Sequence, residues 1–215
     1  MKVLLLAALA CLVSATEDPL PFSGNFNTIY LAAKDMILTE ENSQVRILMR
    51  EVNFFKNYTL ISMTFYVRKN GKCQLHTVWA DRLPYNFYPL TCNNAYAECK
   101  KKVGSEKIIG IWTVRGAFHH FPKIYYEPQV YGGLTRYPSV FYIQIHFASN
   151  TTIIFELIYV NDLGYRQRLT GALATGKNIT EEMWKEYLKR TQDCEIPIEN
   201  IKNIYEADAC PKWNN

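Results

Sequence analysis

After its first fifteen residues the chain has no long apolar run. It also has no phosphate-binding glycine loop, no serine-centred nucleophile elbow and no C-x-x-C pair. The first absence excludes a helical membrane protein, since a spanning helix needs roughly 20 consecutive apolar residues. The second and third remove the usual frames for nucleotide binding and for acyl transfer, and no paired carboxylates stand in a recognisable frame either. Metal-ligand spacing is missing as well. There are only four histidines, and His119-His120 are neighbours that would point to opposite faces of a strand, so they read as a solvated loop pair. His76 and His146 read as outward strand residues. Charge of one sign is scarce: 24 Lys and Arg oppose 20 Asp and Glu, a net +4. Such a balance argues against nucleic acid as a partner. Neither a cofactor nor a metal is expected, and no enzymatic frame is visible.

What is present begins with a leader. Lys2 precedes the apolar stretch Val3–Val13, which ends at Ser14-Ala15 before polar Thr16-Glu17-Asp18. A basic start, a short apolar centre and a small-residue exit predict a secretory signal peptide over residues 1–15, cleaved near Ala15. The chain is then expected outside the cell, with no stable membrane insertion. Residues 16–215 are a length suited to one domain. At 48% hydrophobic and 14% aromatic, the whole chain carries ample core material. Cys11 leaves with the leader, and Cys73, Cys92, Cys99, Cys194 and Cys210 remain. In an oxidising compartment two bridges and one free thiol are the simplest outcome, with the pairing left open by the sequence.

Seven runs rich in β-branched and aromatic residues follow one another: 26–33, 45–54, 60–67, 73–79, 140–147, 153–160 and 165–173. Asn70-Gly71 between two of them favours a type I′ hairpin, because both central residues must take positive φ. Asn161–Gly164 and Ser149-Asn150 mark further tips. Met63, Phe65 and Val67 share one face while Thr64, Tyr66 and Arg68 share the other, and Glu156 falls opposite Phe155, Leu157 and Tyr159. One apolar face and one polar face describe an antiparallel sheet wrapped round a core, as an up-and-down barrel or a sandwich.

The period then changes. Asn178 with Glu181 three residues on resembles a capping box. Glu181 and Glu182 in the first turn, with Lys189 and Arg190 in the last, suit a helix dipole. Trp184, Leu188 and Thr191, with Tyr187 beside them, form the stripe of one amphipathic helix lying against the sheet, and Glu181–Lys185 and Glu186–Arg190 are spaced to pair. One stretch breaks the rhythm: residues 82–130 carry Pro84, Pro89, Pro122 and Pro128, the basic run Lys100–Lys102, and within them only 108–114 looks like a strand. A connection this long is unusual inside a compact domain. It is either a lid over the barrel mouth or a non-native insertion where a short connection belongs.

In order, these features resemble the lipocalins, in particular the mammalian branch of odorant-binding, major urinary and dander-allergen proteins. Ser23-Gly24-Asn25-Phe26 leads into the first strand where that family has Gly-x-Trp. Asn70-Gly71-Lys72-Cys73 looks like its turn into the strand bearing a bridge cysteine, and 196–201 running to Ala207-Asp208-Ala209-Cys210 resembles its C-terminal signature. The resemblance covers about 20–81 and 131–211. Phe26 replaces the usual Trp, and Thr175-Gly176 stand where an arginine is usual.

The resemblance implies an all-β fold with one C-terminal helix, an eight-stranded antiparallel up-and-down barrel. It pairs Cys73 with Cys210, with Cys92–Cys99 as a possible second bridge. Cys194 is left as a buried thiol or as a link between chains, so a monomer or a weak dimer is expected. Alternation and resemblance together nominate an inward set: Val45, Ile47, Met49, Met63, Phe65, Val78, Phe141, Ile143, Leu157, Tyr159 and Leu169. Such a lining would take a small hydrophobic ligand by burial, with Tyr159 offering one hydrogen bond. The implied function is a non-enzymatic carrier of an odorant, pheromone or lipid. The alternative is an interaction protein with a filled barrel, acting through its basic inserted loop or a surface glycosylated at Asn57 and Asn150, where two sequons fall at turn tips. The third sequon is at Asn178, whose side chain the expected helix cap would occupy. A prostaglandin-isomerising lipocalin would need a reactive cysteine on an early inward strand, and none is there.

Overall fold

The computed structural model describes residues 22–90, 129–131, 134–136, 140–160 and 165–213. The leader, Cys92 and Cys99, Lys100–Lys102, the run 108–114, His119-His120 and the 161–164 turn lie outside the described residues. Twelve strand segments are seen: β1 Gly24–Asn25, β2 Asn27–Ala33, β3 Leu48–Phe55, β4 Leu60–Lys69, β5 Lys72–Asp81, β6 Phe87–Leu90, β7 Gln129–Tyr131, β8 Leu134–Arg136, β9 Val140–Ala148, β10 Thr152–Val160, β11 Arg166–Ala174 and β12 Lys202–Asn203. One α-helix among the described residues, α1, spans Glu181–Asp193.

The strands form a four-stranded sheet ordered β1-β3-β4-β5, a six-stranded sheet ordered β12-β2-β11-β10-β9-β6, and the separate pair β7-β8. Every pairing is antiparallel. The expectation of one closed eight-stranded ladder needs correction: among the described residues no ladder joins β5 to β6, and the sheets are distinct. They meet instead at Phe26, where the first strand changes sheet. Its start pairs with β3 and its remainder with β11. The Phe26 amide donates to the Arg50 carbonyl at 3.0 Å. Thr28 Oγ1 completes the seam, donating to the Ile47 carbonyl and accepting from the Met49 amide, each at 2.9 Å.

Residues 82–90, expected to open an atypical insertion, are woven into the fold. Pro84–Asn86 form a 3-10 turn and Phe87–Leu90 pair with β9. Pro89 hid this strand from a reading by composition. It is tolerated because β6 lies at the sheet edge, where a missing N–H breaks no inner ladder.

The helix starts at Glu181, not at an Asn178 cap. Thr180 is the N-cap, its hydroxyl accepting from the Met183 amide at 3.2 Å. Tyr187 is buried and Trp184 half-buried against Tyr30, Ile154 and Ala172 on the outer face of the larger sheet. Glu181–Lys185 pair at 3.0 Å as spaced, whereas Arg190 lies 3.8 Å from Asp193.

Beyond the helix the chain becomes a strap. Asn200 Nδ2 donates to the Ala33 and Lys34 carbonyls at 3.0 and 3.3 Å, and β12 pairs with β2, so this part belongs to the larger sheet. Its end belongs to the smaller one: Cys210 is bonded to Cys73 on β5, the pairing that the resemblance implied. Arg50, 1% exposed, fixes the same end. It donates to the carbonyls of Pro211, Met49 and Cys210 at 2.6, 2.7 and 3.3 Å and contacts the Asp208 carboxylate at 2.9 Å. Arg50 faces outward as the neighbour of inward Met49, and a bulge there shifts the residues after it by one: Met49 pairs with Phe65, yet Glu51 pairs with Thr64.

A second buried charge sits under the end of α1. Glu156, 1% exposed, accepts from Arg168 Nε at 2.5 Å and Nη2 at 3.1 Å. His146 Nε2 lies 3.5 Å from it, and the Cys194 thiol donates to it at 3.6 Å. Burial alone would raise the Glu156 pKa; hydrogen bonds from His146 and Arg168 and their charge outweigh it and bring it down to about 2. Burial pushes the Cys194 thiol up to about 12. Only 5% exposed, that cysteine takes the first of its two expected forms, a buried thiol.

Two predictions follow from this packing. On β11, a Cβ at Gly171 would stand 2.3 Å from the Phe155 ring and 2.9 Å from Leu31 Cδ2. Gly171→Val should therefore destabilise by about 1–3 kcal/mol through overpacking, read as a lowered Tm, and Phe155→Leu should restore part of it. Second, a carboxylate whose pKa is depressed on folding contributes stability above its ordinary value of 4.5 that is lost as pH falls toward about 2. Urea midpoints measured across that window should fall for the native chain. With Glu156→Gln the fall should be shallower; an unchanged slope would assign the acid sensitivity elsewhere.

Candidate ligand-binding interior

The space between the sheets is lined by side chains that register forces inward. On β4 and β5 the two-residue Asn70-Gly71 turn pairs Lys69 with Lys72, which sets Phe65 opposite His76 and Met63 opposite Val78. On β3, Met49 meets Phe65, and past the bulge Val52 meets Met63 and Phe54 meets Ile61. Across the larger sheet, Phe155 faces Ile145, Leu157 faces Ile143 and Tyr159 faces Phe141, while Leu157 also pairs with Leu169.

All eleven residues nominated from the sequence belong to one apolar cluster. Val45, Ile47, Met49, Met63, Phe65, Ile143, Leu157 and Leu169 are buried in it, and Val78, Phe141 and Tyr159 pack against it half-buried. The nomination missed its neighbours Phe26, Leu31, Val52, Phe54, Ile61, Tyr88, Leu90 and Phe155. Val52 and Phe54 were missed because the Arg50 bulge shifts the alternation by one. Tyr88 and Leu90 lie on the strand that Pro89 concealed.

The interior is not uniform. One half is filled: Phe155 seats its ring over Gly171 beside Leu31, and Phe26 and Phe54 are 1% exposed. Toward the other half the residues are less covered. Phe141 and Tyr159 stack with centroids 4.8 Å apart, and Val78 is half-buried. His76 belongs here too. It was expected to face outward, but as the direct partner of inward Phe65 it shares that face, its ring 5.8 Å from the phenyl centroid. Counting across the Asn70-Gly71 turn would have found it. Partial burial lowers its pKa, which favours the neutral imidazole. His76 and Tyr159 thus give a largely hydrocarbon interior a few polar groups. His146 does lie on the outer face, as expected, as the extra residue of a bulge in β9. Among the described residues no group of three or more His, Cys, Asp or Glu could hold a metal ion, and no helix is long and apolar enough to cross a membrane.

Comparison with known proteins places this architecture. The chain is 26% identical over 214 residues to lipocalin Cav p 2.0101 of Cavia porcellus, covering 98% of this chain and 99% of that protein. Along nearly its whole length the chain is thus similar to a lipocalin. Another relative is an odorant-binding protein of Phodopus sungorus, 22% identical over 91% of this chain and all of that one. The crystal structure of aphrodisin, a sex pheromone from female hamster, shares the fold with a TM-score of 0.63 at 20% identity, covering 89% of this chain and 99% of aphrodisin. No protein-family model matches the sequence.

The His76 assignment can be checked directly. Its ring protons, followed by NMR from pH 8 to 4, should titrate with a midpoint below the ordinary 6.5. Protonation of such a group opposes folding, so the associated loss of stability comes as pH falls. A midpoint at or above 6.5 would place the ring in solvent.

Proposed function

We propose that this chain is a lipocalin, a secreted, non-enzymatic carrier that holds one small hydrophobic molecule, an odorant, pheromone or related lipid, between its two sheets. In this reading the sheets are the walls of an eight-stranded barrel. The chain loses residues 1–15 as a leader and works as a single domain with an inserted segment, monomeric and glycosylated at Asn57 and Asn150, both of which are exposed. The observation that carries the proposal is the meeting of Met49, Met63, Phe65, Ile143 and Leu157 in one apolar cluster, with His76 and Tyr159 at its less covered half. An apolar guest there gains about 25 cal/mol for each Å² it withdraws from water, and a single hydrogen bond from His76 or Tyr159 would orient it. The odorant-binding and pheromone relatives support the same reading.

A second reading, a filled barrel acting through its surface, is favoured by the half in which Phe155 sits on Gly171. Displacement of 1-aminoanthracene from the refolded chain separates the two. A carrier should bind about one probe per chain and release it to medium-length alcohols or fatty acids. Met63→Trp, which adds bulk in the interior, should weaken the probe by tenfold or more with folding retained. No saturable binding by a cooperatively folded chain would instead establish the filled barrel.

A further inference from the structure

A cleft of about 260 Å³ opens at the filled end of the molecule, away from the residues nominated for the interior. Its walls come from three places: Phe54 and Tyr58 at the β3–β4 turn, Arg82, Asn86 and Tyr88 between β5 and β6, and the last residues of β9, with Phe22 closing one side. The aromatic wall is rigid. Tyr58 stacks on Phe22 and tilts against Phe54, centroids 5.6 Å apart in each case, and Tyr88 donates its hydroxyl to the Tyr58 carbonyl at 2.8 Å. Arg82 is held at the lip through its backbone amide, which donates to the Thr59 carbonyl at 2.7 Å, while its side chain is exposed.

Both loops at this cleft hold unusual backbone. Lys56, Asn57, Tyr58, Tyr85 and Asn86 all have φ between 49° and 66°; the other described non-glycine residues at positive φ are Asn70 and Glu195. Two tyrosines in that region are costly, and such conformations persist where the surroundings impose them. Tyr88 and Gln144 do so here: the first takes the Tyr58 carbonyl, and Gln144 Nε2 donates to the Tyr85 carbonyl at 3.0 Å. The lining holds a cation, an amide and aromatic faces, but no carboxylate. Glu156, behind His146, is already paired with Arg168.

We propose that this cleft is a second ligand site, for a small aromatic carboxylate whose ring lies against Tyr58, Tyr88 and Phe54 and whose anionic group meets Arg82, with Asn86 donating beside it. A volume below the roughly 300–1,000 Å³ typical of pockets for drug-sized ligands suits one ring with a short acidic chain. A charge-assisted contact from arginine gives the acid its advantage over a neutral analogue of equal shape.

The test uses the full folded chain and two probes, trans-cinnamate and cinnamyl alcohol, with binding followed by amide shifts in ¹H–¹⁵N NMR spectra. Cinnamate should saturate at one equivalent, with its shifts centred on Arg82, Asn86 and Tyr88, and bind about tenfold more tightly than the alcohol. Arg82→Gln should remove that tenfold preference and leave the alcohol unchanged, and Arg82→Lys should keep part of it. Equal affinities for acid and alcohol, an unaltered preference in Arg82→Gln, or cinnamate shifts centred on Met63 and Leu157 would each overturn the proposal.

Discussion

The two sheets of this protein are held in register by a strap of its own C-terminus. After α1 the chain pairs with β2 on the larger sheet, then crosses to the smaller one, where a bond to Cys73 and the Arg50 guanidinium fix its end. Because the two sheets share no ladder between β5 and β6 among the described residues, a tie on the opposite seam carries more of their mutual orientation. The bridge closes a loop of 137 residues, which in the chain-entropy account restricts the unfolded ensemble by roughly 5 kcal/mol. Arg50 adds a dependence of another kind. A guanidinium 1% exposed is tolerable only while Asp208 and the tail carbonyls surround it. The bulge beside Arg50 puts Glu51 on the outer face with Thr64 and advances the inward alternation from Met49 to Val52.

Much of this was legible in the residues, for physical reasons that differ from place to place. The hairpin at Asn70-Gly71 was readable because two adjacent positive-φ positions restrict the choice of residues, and its register then determines every partner along β4 and β5. Nine of the eleven nominated residues lie on strands, where a period of two leaves an apolar strand little freedom in which face it buries; Val45 and Ile47 precede β3 and join the same cluster. The helix was readable from its stripe, but not its first residue. Asn178 and Thr180 are both good caps, and only the packing of Tyr187 and Trp184 decides which one begins the helix.

The failures share a cause too. A bulge changes the phase of a strand without any mark in composition, so Arg50 and the residues after it escaped the alternation. Pro89 argued against a strand that is permitted only because it lies at an edge, a fact about neighbours rather than about residues 87–90. His76 was misjudged by polarity. The cleft at Arg82 joins three distant segments and leaves no periodic trace at all. Glu156 was correctly set on the face away from the interior, yet that face is covered in its turn by the helix end, which makes a nominally polar position one of the most buried charges described.

Leu90 and Phe141 are direct partners across β6 and β9, so fifty residues of chain depart from and return to adjacent points of one ladder. The entropic cost of closing such a loop grows only with the logarithm of its length, about 0.6 kcal/mol for each doubling. The free energy of the two sheets thus depends little on how many residues stand between those two. In evolutionary terms this is a port: residues can be gained or lost there at little cost to the ladder on either side.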